Sequence, residues 1–428
     1  MSTPMIGMIC IAGMLALIAF RAPISLAMSI AGFIGFGWIV AFEPALSVLP
    51  TGPFETLSNY SFSPIPMFIL MGVFASKSGM SQQLFQGAKA MFGSWRGGMG
   101  LAALTSCGIF SAISGSSMAT AASMSRVALP EMEKNGYSPS LASGVLAAGG
   151  TLGIMIPPST ALLLYGLITE QSIGDMFIAG VIPGLLGLVL YGVTVAVIVT
   201  IWPNSAQPGK ATSLKEKIYG LKGLLPFTFV FLFIIGGIYS GWFTPTEAAA
   251  VGAAATFFIA VFKGMRWVQF KEAIAESLLM TAMIFFMLIG AEIFGYFLSV
   301  SRISFSLVEL VDSLQLSPFV ILLCVLAIFM LLGCVMDSIA MLLLTVPVVY
   351  PLIEAAGFDP IWFGIVAVIT VELGLITPPV GMNVFVIKSV APHISIKDMY
   401  KGVMPFVIAD LVRLCLIVAF PFLAIGLL

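Results

Sequence analysis

The chain has 428 residues, of which 60% are hydrophobic and 9% are charged, and its formal net charge is −1. Soluble domains carry roughly 25% charged residues, so this composition excludes a water-soluble globular protein and predicts a protein of the lipid bilayer. The near-neutral charge also argues against binding to nucleic acid. The five cysteines lie in apolar stretches without paired spacing, which argues against a disulfide framework.

The apolar segments, taken in chain order, predict an all-α polytopic membrane protein. A spanning helix needs about 20 apolar residues, and the sequence offers candidates for about 11–12 transmembrane helices. The first apolar segment of the chain lacks the basic start and the cleavage site of a signal peptide, so we predict that it is a membrane helix. The candidate segments are 4–20, 24–42, 62–77, 100–124, 140–168, 176–202, 224–241, 247–263, 274–300, 318–350, 361–390 and 403–427.

Four of these segments are not simple straight helices. Segments 100–124 and 318–350 carry small or polar residues at mid-length, which favours re-entrant hairpins. Segments 140–168 and 361–390 contain Pro-Pro, which removes a backbone donor and clashes with the preceding turn. We therefore predict two hairpins and two broken helices.

A basic connection at residues 203–223 sets the orientation of the chain. It contains Lys210, Lys215, Lys217 and Lys222 against a single acid. Short loops rich in lysine and arginine remain on the cytoplasmic side of a membrane. We therefore predict that this connection is cytoplasmic.

The chain repeats itself on the two sides of that connection. The stretch G-I-M-I-P-P-S-T from Gly153 recurs as G-L-I-T-P-P-V-G from Gly374, 221 residues later. Other landmarks recur at offsets of 221 to 223, which predicts a first repeat at 1–202 and a second at 224–428. If each unit crosses the membrane an odd number of times, the copies are inverted. Inverted repeats with matching broken helices point to a secondary transporter.

The hairpin in the first repeat contains I-S-G-S-S-M-A-T, which we interpret as its tip. Ser114, Ser116 and Ser117 supply hydroxyl groups there, and the matching stretch G-C-V-M-D-S-I-A places Asp337 opposite Ser116. An acid within an apolar segment is costly and commonly functional. Two alternatives remain open: the serines serve close helix packing, or Asp337 is a helix-end residue.

The Pro-Pro segments free backbone carbonyls beside the hairpin tips, and such oxygens are the hard ligands that suit Na⁺. Helix bending alone is the alternative interpretation. We predict one cation site in each repeat. The first site contains Ser114, Gly153, Ile156 and Pro158, and the second contains Gly333, Asp337, Gly374, Thr377 and Val380.

Arg302 lies shortly before the second hairpin and is a candidate ligand for an organic anion. A guanidinium group binds a carboxylate through a bidentate fork. The alternative is an arginine that extends to the membrane interface.

Five stretches together resemble the large membrane (M) subunit of tripartite ATP-independent periplasmic (TRAP) transporters, the group of DctM and SiaM. They are S-G-S-S-M-A-T-A-A, G-I-M-I-P-P-S-T, F-T-P-T-E-A-A-A, W-R-G-G-M-G and G-L-I-T-P-P-V-G. The resemblance extends over nearly the whole chain. It implies the fold of an elevator-type transporter of the ion transporter superfamily, in the bacterial inner membrane.

The resemblance also implies partners and a transport reaction. A periplasmic substrate-binding protein delivers an organic acid, and a separate small membrane subunit of about four helices supports the large one. Two or more Na⁺ ions drive the uptake. Substrate contacts are implied near Ser114, Ser116, Ser117, Arg302 and Asp337, with a sialic-acid-type acid or a C4-dicarboxylate as the substrate.

Other classes of protein fit the sequence less well. An intramembrane serine protease needs a paired histidine, and the single histidine, His393, lies in a short polar connection. The sequence contains neither H-E-x-x-H nor the phosphate-binding motif of an ATPase, so we expect no enzyme activity. A channel would also use hairpins, although paired broken helices fit alternating access better. The main alternative is a Na⁺/dicarboxylate symporter that works without a binding protein.

Overall fold

A computed structural model describes residues 3–209 and 213–428, and these residues form helices joined by short connections. The predicted cytoplasmic residue Lys210 lies outside the described residues. Residues 3–209 contain ten α-helices: α1 (Thr3–Ala19), α2 (Ile24–Ile39), α3 (Phe42–Ser58), α4 (Pro64–Lys77), α5 (Met80–Phe92), α6 (Gly98–Ser114), α7 (Ser117–Lys134), α8 (Pro139–Met155), α9 (Thr160–Ile168) and α10 (Ile173–Ile201).

Residues 213–428 contain ten further α-helices: α11 (Leu214–Tyr239), α12 (Pro245–Phe262), α13 (Trp267–Ser301), α14 (Ile303–Ser313), α15 (Pro318–Gly333), α16 (Ser338–Ala355), α17 (Pro360–Ile376), α18 (Met382–Val390), α19 (Ile396–Ala419) and α20 (Phe422–Ile425). The predicted all-α polytopic class is confirmed. Both predicted hairpins and both predicted broken helices are present.

The described helices differ in their capacity to cross a membrane. Six are long and apolar enough to do so singly, and the number rises to eight if each of two bent pairs forms one span. One bent pair is α8 and α9, which meet at 40° across the first Pro-Pro. Five further apolar helices have 10 to 17 residues. The count of 11–12 spans therefore stays a prediction.

The order of elements occurs twice. A hairpin (α6 and α7), a broken helix (α8 and α9) and a long helix (α10) are followed later by α15 and α16, α17 and α18, and α19. Capping residues agree as well, because Ser138 and Asp359 each accept a hydrogen bond at the start of the broken helices. The two serines that begin α10 and α19 do the same.

Some helices differ from the sequence prediction in their boundaries, and others were not predicted. The first hairpin continues beyond residue 124 to Lys134, because α7 remains helical through Pro130. Helix α11 begins at Leu214, inside the predicted 203–223 connection, where Ser213 and Glu216 form a capping box. Helices α3, α5 and α14 were not predicted, because prolines and glutamates interrupt the apolar residues of α3, and α5 and α14 are short and amphipathic.

The helices pack as two bundles joined by α5 and α14. The first bundle is α1–α4 with α11–α13, and the second is α6–α10 with α15–α20. Small residues allow the helices to approach closely within each bundle. A Cβ atom at Gly32 of α2 would lie 2.6 Å from the Ile293 carbonyl oxygen of α13, and one at Gly402 of α19 would lie 1.8 Å from the Ser140 carbonyl oxygen.

Candidate functional site

The tip of the first hairpin packs directly on the first Pro-Pro break. Thr160 Oγ1, just after the break, donates a 2.7 Å hydrogen bond to the carbonyl oxygen of Gly115. Gly115 has φ +59°, a left-handed conformation that glycine adopts without a steric cost, and it separates α6 from α7. A Cβ atom at Gly153 would lie 2.7 Å from the Ser116 carbonyl oxygen, so the two backbones are in contact.

Oxygen atoms converge at this contact, which we name layer 1 (residues 114–117 with 153–160). Ser114 Oγ and Thr120 Oγ1 are 2.7 Å apart, and both residues are buried. The Pro158 carbonyl oxygen lies 3.3 Å from the position of a Cβ at Gly115. The structure thus brings the tip next to Gly153 and Pro158, with Ile156 extended between them at ψ 119°.

The second hairpin and the second break form the equivalent contact, which we name layer 2 (residues 333–338 with 374–381). The backbone N–H of Gly381 donates a 3.1 Å hydrogen bond to the Cys334 carbonyl oxygen. A Cβ atom at Gly374 would lie 2.6 Å from the carbonyl carbon of Gly333. Each layer therefore consists of a hairpin tip held against an unwound backbone.

Two of the predicted ligands in layer 2 already have intramolecular partners. Thr377 Oγ1 donates a 2.5 Å hydrogen bond to the Leu373 carbonyl oxygen, which leaves the lone pairs of the hydroxyl oxygen available. The Val380 carbonyl oxygen accepts a 2.7 Å hydrogen bond from the Tyr400 hydroxyl group. The two layers also differ in exposure, because Pro157 and Pro158 are buried whereas Pro378 and Pro379 are exposed.

Asp337 and Ser116 occupy the same structural position in the two repeats. Each is the N-cap of the second helix of its hairpin. Asp337 Oδ1 accepts hydrogen bonds from the backbone N–H groups of Ile339 at 2.7 Å and Ala340 at 3.1 Å. Asp337 is therefore both a helix-end residue and a residue of the hairpin tip, because the second helix of the hairpin begins at the tip.

Asn383 lies two residues after layer 2 and is hydrogen-bonded to layer 1, and sequence reasoning missed it. Its Nδ2 group donates hydrogen bonds to Ser117 Oγ at 2.7 Å and to the Ala147 carbonyl oxygen at 3.2 Å. Asn383 is fully buried, and within the described chain its Oδ1 atom has no hydrogen-bond partner. An amide two residues after Gly381, inside an apolar helix, is the signal that could have identified it.

Arg302 lies apart from both layers. It is exposed, with φ +55°, at the junction of α13 and α14, and residues 3–209 and 213–428 offer its guanidinium group no hydrogen-bond or ion-pair partner. The equivalent position in the first repeat is Gly79, which has φ +69° and precedes α5. The structure thus places Arg302 at a left-handed helix junction.

Two adjoining cavities lie between the bundles and outside both layers. Their volumes are about 850 Å³ and about 590 Å³, and they share Asn59, Phe62, Leu167 and Glu170. At the first hairpin tip the bundles touch, because a Cβ atom at Gly72 of α4 would lie 2.9 Å from Ser114 Cα. Layer 1 is therefore located where the two bundles meet.

The sequence of the chain matches a known transporter family over nearly its whole length. The family described as "Tripartite ATP-independent periplasmic transporter, DctM component" matches residues 11–423. The chain belongs to this family. It is a TRAP large permease, and the resemblance that the five motifs indicated is confirmed.

Similar proteins are named for different substrates. The chain is 36% identical over 400 residues to the C4-dicarboxylate TRAP large permease DctM of Pseudomonas aeruginosa, with 92% of this chain and 93% of that protein covered. It is 32% identical to the sialic acid TRAP large permease SiaM of Vibrio cholerae, with 85% of each covered. It is also 32% identical to the isethionate TRAP permease DctMQ of Oleidesulfovibrio alaskensis, with 83% of this chain and 56% of that protein covered. These relatives are named as permeases, in agreement with the expectation that the chain is not an enzyme.

A solved structure has the same fold. The YdaH transporter of Alcanivorax borkumensis superposes with a TM-score of 0.61, and the match covers 89% of this chain and 90% of that chain. The sequences are 13% identical, so the likeness concerns the fold alone.

The hydrogen bond that closes layer 1 can be removed with little change in side-chain volume. Thr160→Val deletes the donor to the Gly115 carbonyl oxygen, and a lost buried hydrogen bond costs about 1 kcal/mol. We expect the uptake rate of this TRAP permease to fall about fivefold, since about 1 kcal/mol corresponds to that factor. Thr194→Val is the control, because that threonine donates only within its own helix. Equal uptake by both variants would contradict a role for the Thr160 contact.

Proposed function

We propose that this TRAP permease carries an organic acid into the bacterial cell, driven by an inward Na⁺ gradient. The observation that carries the proposal is the pair of layers, in which a hairpin tip with hydroxyl or carboxylate groups meets an unwound backbone. Carbonyl and hydroxyl oxygens are the ligands that hard cations prefer. We assign the predicted residues Ser114, Gly153, Ile156 and Pro158 to one Na⁺ site. Gly333, Asp337, Gly374, Thr377 and Val380 form the other.

The substrate of the proposal is an organic anion of the sialic-acid or C4-dicarboxylate type. Relatives named for each of these substrates are similar to this chain over most of its length. Ser116 and Ser117 lie at the first tip, and Asp337 lies at the second. Because Asp337 is acidic, we assign its contact to Na⁺ or to a substrate hydroxyl group. Arg302 remains a candidate for the substrate only if the junction of α13 and α14 moves toward the layers.

The proposed mechanism is an elevator. The second bundle holds both layers, and its tip contacts the first bundle at Gly72, a residue without a side chain. We propose that the second bundle moves against the first while the layers remain intact. Conformational changes of this kind are rigid-body movements of packed units.

The partners in the proposal follow from the family. The family description names a tripartite, periplasmic system, and the relatives are large permeases. We propose that a periplasmic binding protein delivers the substrate and that a separate small membrane subunit supports the large one. The location is the bacterial inner membrane, with the basic residues after α10 on the cytoplasmic side.

Uptake into proteoliposomes tests this function. The permease would be reconstituted with the small subunit encoded beside it, and radiolabelled sialic acid and succinate would be added under an inward Na⁺ gradient, with and without the neighbouring binding protein. We expect uptake only when both the gradient and the binding protein are present. Uptake without the binding protein would support the direct symporter instead. Uptake with a K⁺ gradient in place of Na⁺ would contradict the assignment of Na⁺.

A further inference from the structure

A polar cluster lies in the interior of the second bundle, and none of its members is a predicted ligand. Its members are Thr151 of α8, Tyr191 of α10, Glu372 of α17, and Asp410 and Arg413 of α19. All five side chains are fully buried. We name them the central cluster.

Hydrogen bonds and ion pairs join the members of the central cluster in a chain. The hydroxyl oxygens of Thr151 and Tyr191 are 3.0 Å apart, and the Tyr191 hydroxyl group donates a 2.5 Å hydrogen bond to Asp410 Oδ2. Arg413 Nη2 lies 3.0 Å from Asp410 Oδ1 and also donates to Glu372 Oε2. The chain of contacts thus runs from α8 through α10 and α19 to α17.

The internal repeat relates the two ends of this chain. Glu372 follows Thr151 by 221 residues and Arg413 follows Tyr191 by 222, the offsets of the repeat itself. In the first repeat the pair is Thr151 with Tyr191, and in the second it is Glu372 with Arg413. Each pair connects the helix before a Pro-Pro break to the long helix after it. Asp410 joins the two equivalent pairs.

Each pair lies close to one of the layers. Thr151 is two residues before Gly153, whose backbone touches the first hairpin tip. Glu372 is two residues before Gly374, whose backbone touches the second tip. Four side-chain contacts therefore connect α8 beside layer 1 to α17 beside layer 2.

Stability alone does not account for the central cluster. Buried ion pairs are often no more stable than apolar side chains of the same volume, because desolvation offsets the attraction. Within the described residues, Glu372 Oε1 and the Nε and Nη1 atoms of Arg413 have no hydrogen-bond partner, which adds to the cost. Gly187 leaves the room that the guanidinium group needs, since a Cβ atom there would lie 2.2 Å from Nη1.

We propose that the central cluster is a set of positioning residues that couples the two cation layers, so that an ion bound in one layer increases the affinity of the other. This inference rests on the proposed Na⁺-coupled function. None of the five side chains needs to touch an ion, because each acts through the helix end that it holds. Coupling between two sites is reciprocal, and the central cluster links both layers symmetrically.

Tyr191→Phe tests the coupling with the loss of a single oxygen atom. Phenylalanine keeps the buried ring but removes the hydroxyl group that contacts both Thr151 and Asp410. In the wild type we expect the rate of uptake to rise cooperatively with Na⁺ concentration. In the variant we expect the Hill coefficient to fall toward one and the Na⁺ concentration for half-maximal uptake to rise about fivefold or more. The maximal rate at saturating Na⁺ should stay near that of the wild type.

Tyr165→Phe is the matched control. Tyr165 is also fully buried and also donates one hydrogen bond, of 2.7 Å, to the Pro360 carbonyl oxygen. It lies outside the central cluster, so we expect the Na⁺ dependence of this variant to be unchanged. Thr151→Val removes the other end of the same hydrogen bond and replaces Tyr191→Phe if that variant does not fold.

Three outcomes would overturn the inference. The first is that Tyr191→Phe and Thr151→Val both keep the Hill coefficient of the wild type. The second is that Tyr165→Phe loses as much cooperativity as Tyr191→Phe. The third is that uptake by the wild type depends on Na⁺ without cooperativity. A wild type whose uptake does not depend on Na⁺ at all would instead contradict the proposed function, so the two failures can be distinguished in the same assay.

Discussion

Oxidation of the double variant Ser76→Cys/Ser123→Cys is expected to stop uptake completely. Ser76 lies on α4 of the first bundle and Ser123 on α7 of the second, and their hydroxyl oxygens are 3.3 Å apart. Sulfur atoms at these positions need only a small shift to reach the disulfide length of about 2.05 Å. A covalent bond across the bundles prevents the second bundle from moving against the first, and the proposed elevator mechanism requires that movement. The measurement is Na⁺-driven uptake before and after oxidation, with the cross-link quantified by mass spectrometry.

The controls separate cross-linking from general oxidation. The chain has five natural cysteines, so each single variant, Ser76→Cys and Ser123→Cys, must keep its uptake after the same treatment. Reduction of the double variant should restore transport. A fully cross-linked protein that transports at the rate of the wild type would exclude movement between the bundles at this contact.

Gly374→Ala is expected to reduce uptake by about 100-fold, since a displacement of about 1 Å in a preorganised site has an effect of that size. The new Cβ atom would lie 2.6 Å from the Gly333 carbonyl carbon and 3.0 Å from the Cys334 backbone nitrogen. Both neighbours are backbone atoms, so no change of side-chain rotamer relieves the clash. The hairpin tip must move away from the break, which opens layer 2. The measurement is the initial rate of uptake in proteoliposomes.

Gly236→Ala is the matched control for this substitution. A Cβ atom at Gly236, on α11, has no atom of the described chain within 4 Å. The same methyl group is therefore added to a helix without a clash, and uptake should be unchanged. If Gly374→Ala transported as well as Gly236→Ala, the contact between the tip and the break would not form part of the transport site.

Local sequence rules predicted the irregular parts of the fold well. Pro157-Pro158 and Pro378-Pro379 cannot continue a helix, and both lie at breaks between helices. Glycine and serine at the first tip allow a turn between α6 and α7, which the left-handed Gly115 provides. The internal repeat strengthened these predictions, because each motif supported the interpretation of the equivalent motif in the other repeat.

Contacts between distant segments could not be predicted in the same way. Asn383 lies 266 residues from Ser117, and no spacing rule brings its amide to that hydroxyl group. The members of the central cluster lie on four helices, and no spacing rule predicts their contacts either. Arg302 was predicted from its charge and its nearness in sequence to the second hairpin. Its position at the junction of α13 and α14 depends on the packing of α14, which the sequence prediction did not contain.

The length of helix α13 can be compared with the thickness of the bilayer. Its 35 residues are about 52 Å long at about 1.5 Å per residue, well beyond the hydrocarbon thickness of about 30 Å. Lys77 lies 3.5 Å from Glu272 and 3.1 Å from Glu276, and these charges mark where the helix is still in the interfacial water. From there to Ser301 about 37 Å remain, which still exceeds the hydrocarbon thickness, and a span of this length is accommodated by helix tilt or by a local thickening of the bilayer. We therefore expect a membrane of different thickness to act first on the tilt of α13, because neither layer includes residues of this helix.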